Sequence, residues 1–270
     1  MPGLSVRDIS VTFGGLQALQ QISFDVHPGS VVGVIGPNGA GKTTLFNVVS
    51  GLVRPTAGAL RWDDKPFRPK PDQLVQHGIA RTLQAVGLFG RMTALQNVMA
   101  GAAASRRAGF LGALFATPGS GRDERRLGQL ALHWLDRLGV GGIADRPADS
   151  LPYPVQKKVA LARALISRPR LLLLDEPAGG LGAEDLDPLA ELIRLLPDDA
   201  DSPCAVLLVE HRMDLVMAVC DRVVVLDFGK VVASGTPAQV QADPAVAIAY
   251  LGADVPVADE GQARSGPAAG

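Results

Sequence analysis

A phosphate-binding pattern lies between Gly36 and Thr43, where the sequence has the form G-x-x-x-x-G-K-T. Residues 31–35 before it are apolar and strand-like, and residues 45–50 after it are helix-like. In this context the glycines let the backbone curl, so that its amides and the helix N-terminus face phosphate oxygens. Lys42 is expected to reach the β- and γ-phosphates, and the Thr43 hydroxyl to bind Mg²⁺. The pattern therefore predicts binding of ATP or GTP with Mg²⁺ through Gly36, Asn38, Gly39, Ala40, Gly41, Lys42, Thr43 and Thr44.

Two adjacent carboxylates, Asp175 and Glu176, follow the apolar residues 171–174 and precede Pro177. Successive side chains of a strand point to opposite faces, so the two carboxylates are expected to have different roles. We expect Asp175 to hold Mg²⁺, directly or through water. Glu176, just past the strand end, is expected to polarise the attacking water as a general base. A strand capped by solvated acids before a proline turn is the alternative without chemistry.

Two further polar residues, His211 and Gln84, also follow predicted strands. The carboxyl ends of strands in an α/β sheet face the ligand, so His211 is predicted to contact the γ-phosphate and the attacking water. A structural role for this histidine is the alternative. Gln84 offers an amide oxygen to Mg²⁺ or to the water. The predicted catalytic residues are therefore Glu176, His211 and Gln84, and the predicted metal ligands are Thr43, Gln84 and Asp175.

The secondary-structure pattern consists of short, unalternated apolar runs separated by helices, which predicts a parallel sheet covered on both faces. Strands are predicted over residues 4–13, 20–26, 31–35, 59–62, 171–174, 204–209, 222–226 and 231–233. Helices are predicted over residues 94–103, 123–138, 155–166 and 184–196, after the phosphate-binding pattern, and in a segment that ends near Ala218. Residues 106–122, rich in Gly, Arg and Ala, are predicted to form a mobile insertion or a short irregular helix.

The composition excludes several classes of protein. The chain has 270 residues, 47% of them hydrophobic, and a net charge of −1, so no strong attraction to nucleic acid or anionic lipid is expected. No apolar stretch reaches the length that crosses a membrane, and no secretory signal is expected. Cys204 and Cys220 lack metal-ligand spacing and are predicted to be buried free thiols in a reducing compartment. Residues 253–270 are predicted to be a disordered tail.

The order of these features resembles the nucleotide-binding subunits of ABC transporters over about residues 4–252. More closely, the chain resembles the ATP-binding subunits of branched-chain amino acid importers, over residues 11–19, 38–47, 81–89, 209–217, 221–229 and 247–252. The resemblance implies ATP as the nucleotide, with Phe13 stacked on adenine. It implies an α/β fold: a P-loop NTPase core with a parallel sheet, an N-terminal antiparallel β subdomain and a helical signature subdomain. The expected domain is 1–252, with the helical subdomain at about 90–165.

The same resemblance implies how the protein works. Such subunits pair head to tail, and each ATP lies between the P-loop of one subunit and the signature segment of the other. The implied partners are membrane permease subunits, a second ATP-binding subunit in a homo- or heterodimer and, indirectly, a substrate-binding protein, with no nucleic acid. Peripheral attachment to the cytoplasmic face of the cell membrane follows, with a coupling surface around residues 84–89 and 93–102. The alternative residue-level interpretation places Val86, Leu88 and Phe89 in the core.

ATP-driven import of branched-chain or related amino acids is the implied function. Transport of another small solute, such as urea or an amide, and lipopolysaccharide export remain alternatives. A soluble ATPase of translation or DNA repair is disfavoured, because no second cassette, coiled-coil insertion or basic extension is present.

Two segments depart from the family pattern. The signature segment, residues 151–156, usually contains L-S-G-G-Q, but here Pro152 replaces the serine and Pro154 replaces the last glycine. A hydroxyl and an amide donor are thereby lost, although proline is compatible with the first turn of a helix. In the D-loop, residues 179–184, Gly182 stands where Asn or Asp is usual. These changes favour two hypotheses: a weakly hydrolysing regulatory subunit, or a heterodimer whose partner supplies an intact signature.

Overall fold

The computed structural model describes residues 3–82, 87–103, 120–199 and 202–251. Its strands, numbered in chain order, are β1 Leu4–Phe13, β2 Leu16–Val26, β3 Val31–Ile35, β4 Ala57–Trp62, β5 Lys65–Phe67, β6 Ile79–Arg81, β7 Leu171–Asp175, β8 Ala205–Val209, β9 Arg222–Asp227 and β10 Lys230–Gly235. Its helices are α1 Lys42–Val49, α2 Ala94–Ala103, α3 Ser120–Arg137, α4 Tyr153–Leu165, α5 Ala183–Leu195, α6 Met213–Val219, α7 Pro237–Gln241 and α8 Pro244–Leu251.

Two sheets organise the fold. The first is antiparallel and has the order β2-β1-β4-β5. The second has the order β10-β9-β3-β8-β7-β6, and its described pairings are parallel except for the β9–β10 hairpin. The predicted combination of an antiparallel N-terminal sheet and a parallel sheet is confirmed.

The parallel sheet is covered on both faces, as the unalternated apolar runs predicted. Val31 and Ile35 of β3 pack with α2, α4 and α5 in one hydrophobic core. Val32 and Val34 of the same strand pack with α1 and the antiparallel sheet in a second core. Because alternate residues of one strand enter different cores, every position of β3 is apolar or glycine and buried.

Several predicted boundaries were wrong. β2 begins at Leu16, four residues earlier than predicted, because hairpin pairing to β1 extends it, with Leu16 opposite Phe13. α4 begins at Tyr153 instead of residue 155, because prolines fit its cap and first turn. β5, α7 and α8 were not predicted; α7 begins with a capping box between Thr236 and Gln239. Residues 120–122 of the predicted insertion belong to α3, and its remainder lies outside the described residues, as does the predicted tail at 253–270.

The two cysteines are confirmed as buried free thiols. Burial raises the pKa of each thiol to about 12, so both stay neutral in the folded protein at ordinary pH. In the part of the chain that the structure describes, no helix is long and apolar enough to cross a membrane.

A fully buried asparagine, Asn97 of α2, shapes the turn at residues 89–93. Its amide oxygen accepts a hydrogen bond from the Phe89 amide at 2.8 Å, and its amide nitrogen donates to the Phe89 and Thr93 carbonyls, each at 3.0 Å. Phe89 and Met92 are held with their side chains exposed, whereas Leu88 packs against the core. The sequence left two interpretations for Val86, Leu88 and Phe89, a coupling surface or the core. The core interpretation fits Leu88 but not Phe89, and Val86 lies outside the described residues.

We predict that Asn97→Ala lowers the free energy of unfolding by about 2–3 kcal/mol, because it leaves buried backbone groups unpaired. Gln96→Ala is the matched control on the same helix, since the exposed Gln96 side chain accepts one bond, from the Thr93 amide. That change should cost less than about 1 kcal/mol. Denaturant unfolding measures both values, and hydrogen exchange should accelerate at the Phe89 amide, whose hydrogen bond Asn97 accepts, in Asn97→Ala alone. Equal losses in the two variants would contradict the assignment.

Candidate functional site

The P-loop, residues 36–43, contains three glycines, and two of them, Gly36 and Gly41, leave no room for a side chain. Gly36 has φ +148°, and a Cβ there would lie 2.1 Å from the Leu226 carbonyl oxygen. Gly41 has φ +101°, and its Cβ would lie 2.8 Å from the Ala18 carbonyl oxygen. A Cβ on Gly39, in contrast, would meet no heavy atom within 4 Å. The loop is therefore packed against β2 and β9 on one side and open on the other.

The predicted phosphate-binding lysine is already buried in this loop. Its Nζ donates to the carbonyl oxygens of Gly36 at 2.7 Å and Pro37 at 2.8 Å. Burial lowers the pKa of Lys42, and the negative charge of Glu176 opposes that shift. α1 begins at Lys42 after a left-handed cap at Gly41, so the first-turn amides of Lys42 and Thr43 have no partner within the helix. These donors, with the ammonium group, fit a polyphosphate.

The remaining predicted phosphate and base contacts lie on or near the open side. Asn38, Gly39 and Thr43 are exposed, Thr44 is half-buried and Ala40 is buried. Phe13, at the end of β1, is 50% exposed, which leaves its ring free to stack on a base. The roles of these residues remain predictions.

The carboxylates and the histidine meet where β7 and β8 end. Asp175 closes β7, lies opposite Val209 of β8 and is 5% exposed. The Glu176 amide donates to the Val209 carbonyl at 2.9 Å, and Glu176 Oε1 lies 3.9 Å from His211 Nδ1. The structure thus brings these strand-end residues together. Gln84, the third predicted catalytic residue, lies outside the described residues.

Arg81, which sequence reasoning did not single out, connects Asp175 to α1. Its Nη2 lies 3.4 Å from Asp175 Oδ2, its Nη1 donates to Ser50 Oγ at 2.5 Å, and its guanidinium lies 4.7 Å from the Phe46 ring centroid. Burial raises the pKa of Asp175, and the Arg81 charge counters that shift. The guanidinium thus helps to keep Asp175 ionised.

Glu210 is a second residue that sequence reasoning left without a role. It is fully buried, and its carboxylate accepts the amides of Ala178 at 2.8 Å, His211 at 2.8 Å and Arg212 at 3.1 Å. These bonds hold the histidine turn against the segment that follows Glu176. The sequence contained a signal for this role, because Glu210 directly follows the wholly apolar strand β8. A carboxylate buried at such a position requires hydrogen-bond partners.

The donor set is compatible with Mg²⁺ bound together with a phosphate. Among the residues that the structure describes, no group of three or more His, Cys, Asp or Glu could hold a metal by itself. Asp175 and the Thr43 hydroxyl provide hard oxygen ligands, as Mg²⁺ prefers, and its usual coordination adds water and substrate oxygens.

Comparison with known proteins identifies the family. Residues 19–179 match the family described as ABC transporter, and residues 230–256 match the family described as branched-chain amino acid ATP-binding cassette transporter. The chain is 40% identical over 252 residues to the high-affinity branched-chain amino acid transport ATP-binding protein BraF of Pseudomonas aeruginosa, covering 93% of this chain and 98% of the relative. LivG of Escherichia coli, with the same description, is 38% identical over the same shares.

The chain belongs to the ABC transporter family. It is therefore an ATP-binding protein and an ABC-type ATPase. The ADP conformation of MJ1267, an ATP-binding cassette of an ABC transporter, has a TM-score of 0.78 and 30% identity, covering 93% of this chain and 99% of that one. A nucleotide-free ATP-binding cassette has a TM-score of 0.76 and 29% identity over the same shares. The predicted fold class and resemblance are confirmed.

The unusual signature segment of this ABC cassette still begins a regular helix. Pro152 occupies the N-cap of α4, Pro154 lies in its first turn, and no side chain caps the helix. Tyr153 between them is 47% exposed. In the D-loop, Gly182 caps α5, whose first turn contains Glu184 and Asp185. The prolines thus remove donors without unwinding the helix.

We predict that Gly36→Ala lowers the free energy of unfolding by about 3 kcal/mol or more and abolishes ATP binding. The added methyl group would overlap the Leu226 carbonyl and force the loop to move. Gly39→Ala is the matched control: its φ of +82° is unfavourable for alanine, but the space is open, so about 1–2 kcal/mol is expected. Denaturant unfolding of the two variants tests the comparison, and a larger loss for Gly39→Ala would refute it.

Proposed function

We propose that this chain is the ATP-hydrolysing subunit of an importer for branched-chain or related amino acids. Its partners in this proposal are membrane permease subunits, a second ATP-binding subunit and, indirectly, a substrate-binding protein. It would lie at the cytoplasmic face of the membrane. The similarity to BraF and LivG over 93% of the chain supports the substrate class, as does the match of residues 230–256. The relatives do not favour urea, amides or lipopolysaccharide.

One observation supports the hydrolytic role. The P-loop lysine, Asp175, Glu176 and His211 lie close together where the parallel strands end. We infer that Lys42 exchanges its two carbonyl partners for phosphate oxygens when ATP binds. Glu176 takes the proton of the attacking water as general base. His211, 3.9 Å from Glu176, orients that water and the γ-phosphate.

Asp175, Thr43 and Gln84 would hold Mg²⁺, which neutralises charge on the transferring phosphoryl group. On the protein side, Arg81 contacts Asp175 at the end of β7, and its charge favours the ionised form of that carboxylate. Phe13 supplies the ring that stacks on adenine.

The test uses the transporter complex purified with its permease and partner subunits. Glu176→Gln should keep ATP binding and lower kcat by about 10²–10⁴-fold, the usual contribution of a general base. Lys42→Ala should lose ATP binding at this site. Uptake of labelled leucine, isoleucine and valine into vesicles, competed by unlabelled urea and by each amino acid, tests the substrate class. Normal hydrolysis by Glu176→Gln would refute the general-base mechanism. Competition by urea alone would refute the proposed class of substrate.

A second candidate, a weakly hydrolysing regulatory subunit, is favoured by one observation. Pro152 and Pro154 deprive the signature segment of a hydroxyl and an amide donor. In a head-to-tail pair that segment would face the partner's ATP, so the partner's site would be impaired while this P-loop stays competent.

We predict that Pro154→Gly raises ATP hydrolysis by the complex about tenfold, since a restored charge-assisted donor contributes about 1.5–3 kcal/mol. Pro147→Ala is the control: this proline also precedes a helical turn, but it lies outside the signature segment. Hydrolysis should be measured with Lys42→Ala in this chain, so that turnover at the partner's nucleotide is seen alone. No increase over the control would mean that the proline-containing segment is already competent.

A further inference from the structure

Lys157 connects the signature helix α4 to the catalytic strand end of the same chain. Its Nζ donates to the Glu176 carbonyl oxygen at 2.7 Å and lies 3.4 Å from the Pro177 carbonyl oxygen. The ammonium also lies 5.5 Å from the ring centroid of Tyr153. One side chain of α4 therefore contacts the backbone of the predicted general base.

Glu176 has a backbone that needs support. Its φ is +46°, in the left-handed region that costs a residue other than glycine about 1–2 kcal/mol. Its amide donates to the Val209 carbonyl, and its carbonyl accepts hydrogen bonds from Lys157 at 2.7 Å and from the Gly179 amide at 3.1 Å. Both sides of the residue are thus held: the amide by β8 of the core, and the carbonyl by the local turn to Gly179 and by the shorter bond from the signature helix.

Tyr153 adds a second contact between the same two segments. A Cβ on Gly180 of the D-loop would lie 3.2 Å from two carbons of the Tyr153 ring. Gly180, with φ +75°, therefore lies close against the ring that also contacts Lys157. The start of α4 and the D-loop meet through this lysine–tyrosine pair.

Behind this pair the packing is open. A cavity of about 280 Å³ lies beside α4 and is lined by Lys157, Ala160 and Leu161 of α4 and by Leu174, Pro177, Leu181 and Leu189 across from them. Burial lowers the pKa of Lys157, and the negative charges of Glu210, Glu176 and Asp175 oppose that shift.

We propose that Lys157 is a positioning residue that makes the orientation of the catalytic Glu176 depend on the position of the signature helix. The inference rests on the proposed role of Glu176 as general base. In the proposed head-to-tail pair, the signature segment closes on the partner's nucleotide. Movement of that segment then changes the orientation of the general base over this chain's own ATP. The two nucleotide sites are thereby coupled, although residue 182 of the D-loop is glycine and has no polar side chain to link them.

The test compares Lys157→Met with Lys157→Arg in the purified transporter complex. Lys157→Met should lower kcat about tenfold or more, because a displacement of about 1 Å at a reacting group is that costly. The KM for ATP should change less than about threefold, since the P-loop is untouched. Lys157→Arg, which can donate to the same carbonyls, should restore kcat to within about threefold of the unaltered complex.

Lys158→Met is the matched control. Lys158 is the next residue of α4, and its Nζ pairs with Asp185 Oδ1 at 2.7 Å instead of with the Glu176 backbone. The kcat of the Lys158→Met complex should stay within about twofold of that of the unaltered complex, because a partly exposed ion pair contributes little. Tyr153→Leu provides a second variant that keeps the lysine, and a kcat loss of about twofold or more, without a change in KM, is expected.

The outcomes separate this inference from the proposed function. Active Glu176→Gln would defeat the proposed function itself. Inactive Glu176→Gln combined with a normal kcat in both Lys157→Met and Tyr153→Leu would defeat the positioning role alone. Equal losses in Lys157→Met and Lys158→Met, with no rescue by Lys157→Arg, would also overturn it. If Lys157→Met does not assemble, the kcat values of Tyr153→Leu and Lys157→Arg test the positioning role against the values expected above.

Discussion

The parallel pairing of β3, β8 and β7 is the constraint on which the site depends. Strands that run side by side in one direction end at the same edge of a sheet. In this register Val34 of β3 pairs with Val209 of β8, and Val209 pairs with Asp175 of β7. The P-loop, the carboxylates and the histidine turn therefore emerge together. Both faces of the strands are covered by apolar cores, which leaves this edge as a place for polar chemistry.

Charge balance is the second condition for such a site. Buried charges are stable only when they are paired or hydrogen-bonded. Here Arg81 faces Asp175, Lys157 lies near three carboxylates, and Glu210 is satisfied by backbone amides. Lys42 uses carbonyl oxygens that ATP would replace. The charges of the site are thus compensated within the protein.

Prediction from sequence succeeded where structure follows from neighbouring residues. The glycine spacing of the P-loop and the apolar runs of β3, β7 and β8 are local patterns, and the structure contains each of these elements. It failed where pairing or capping overrides local signals, as at the early start of β2 and at α4. The contacts of Arg81 and Lys157 were missed, because each joins positions far apart in the chain. The role of Gln84 remains a prediction, because this residue lies outside the described residues.

The sequence by itself determined the family, the nucleotide-binding loop and the identity of the predicted catalytic residues, because these depend on residue types at short, ordered spacings. Only the tertiary structure decided which charges compensate one another. It also decided that Phe89 is exposed while Leu88 is packed, and that the signature helix holds the Glu176 backbone. The reason is physical: burial, hydrogen-bond partners and distances between elements arise from packing, and packing joins residues that no local pattern relates.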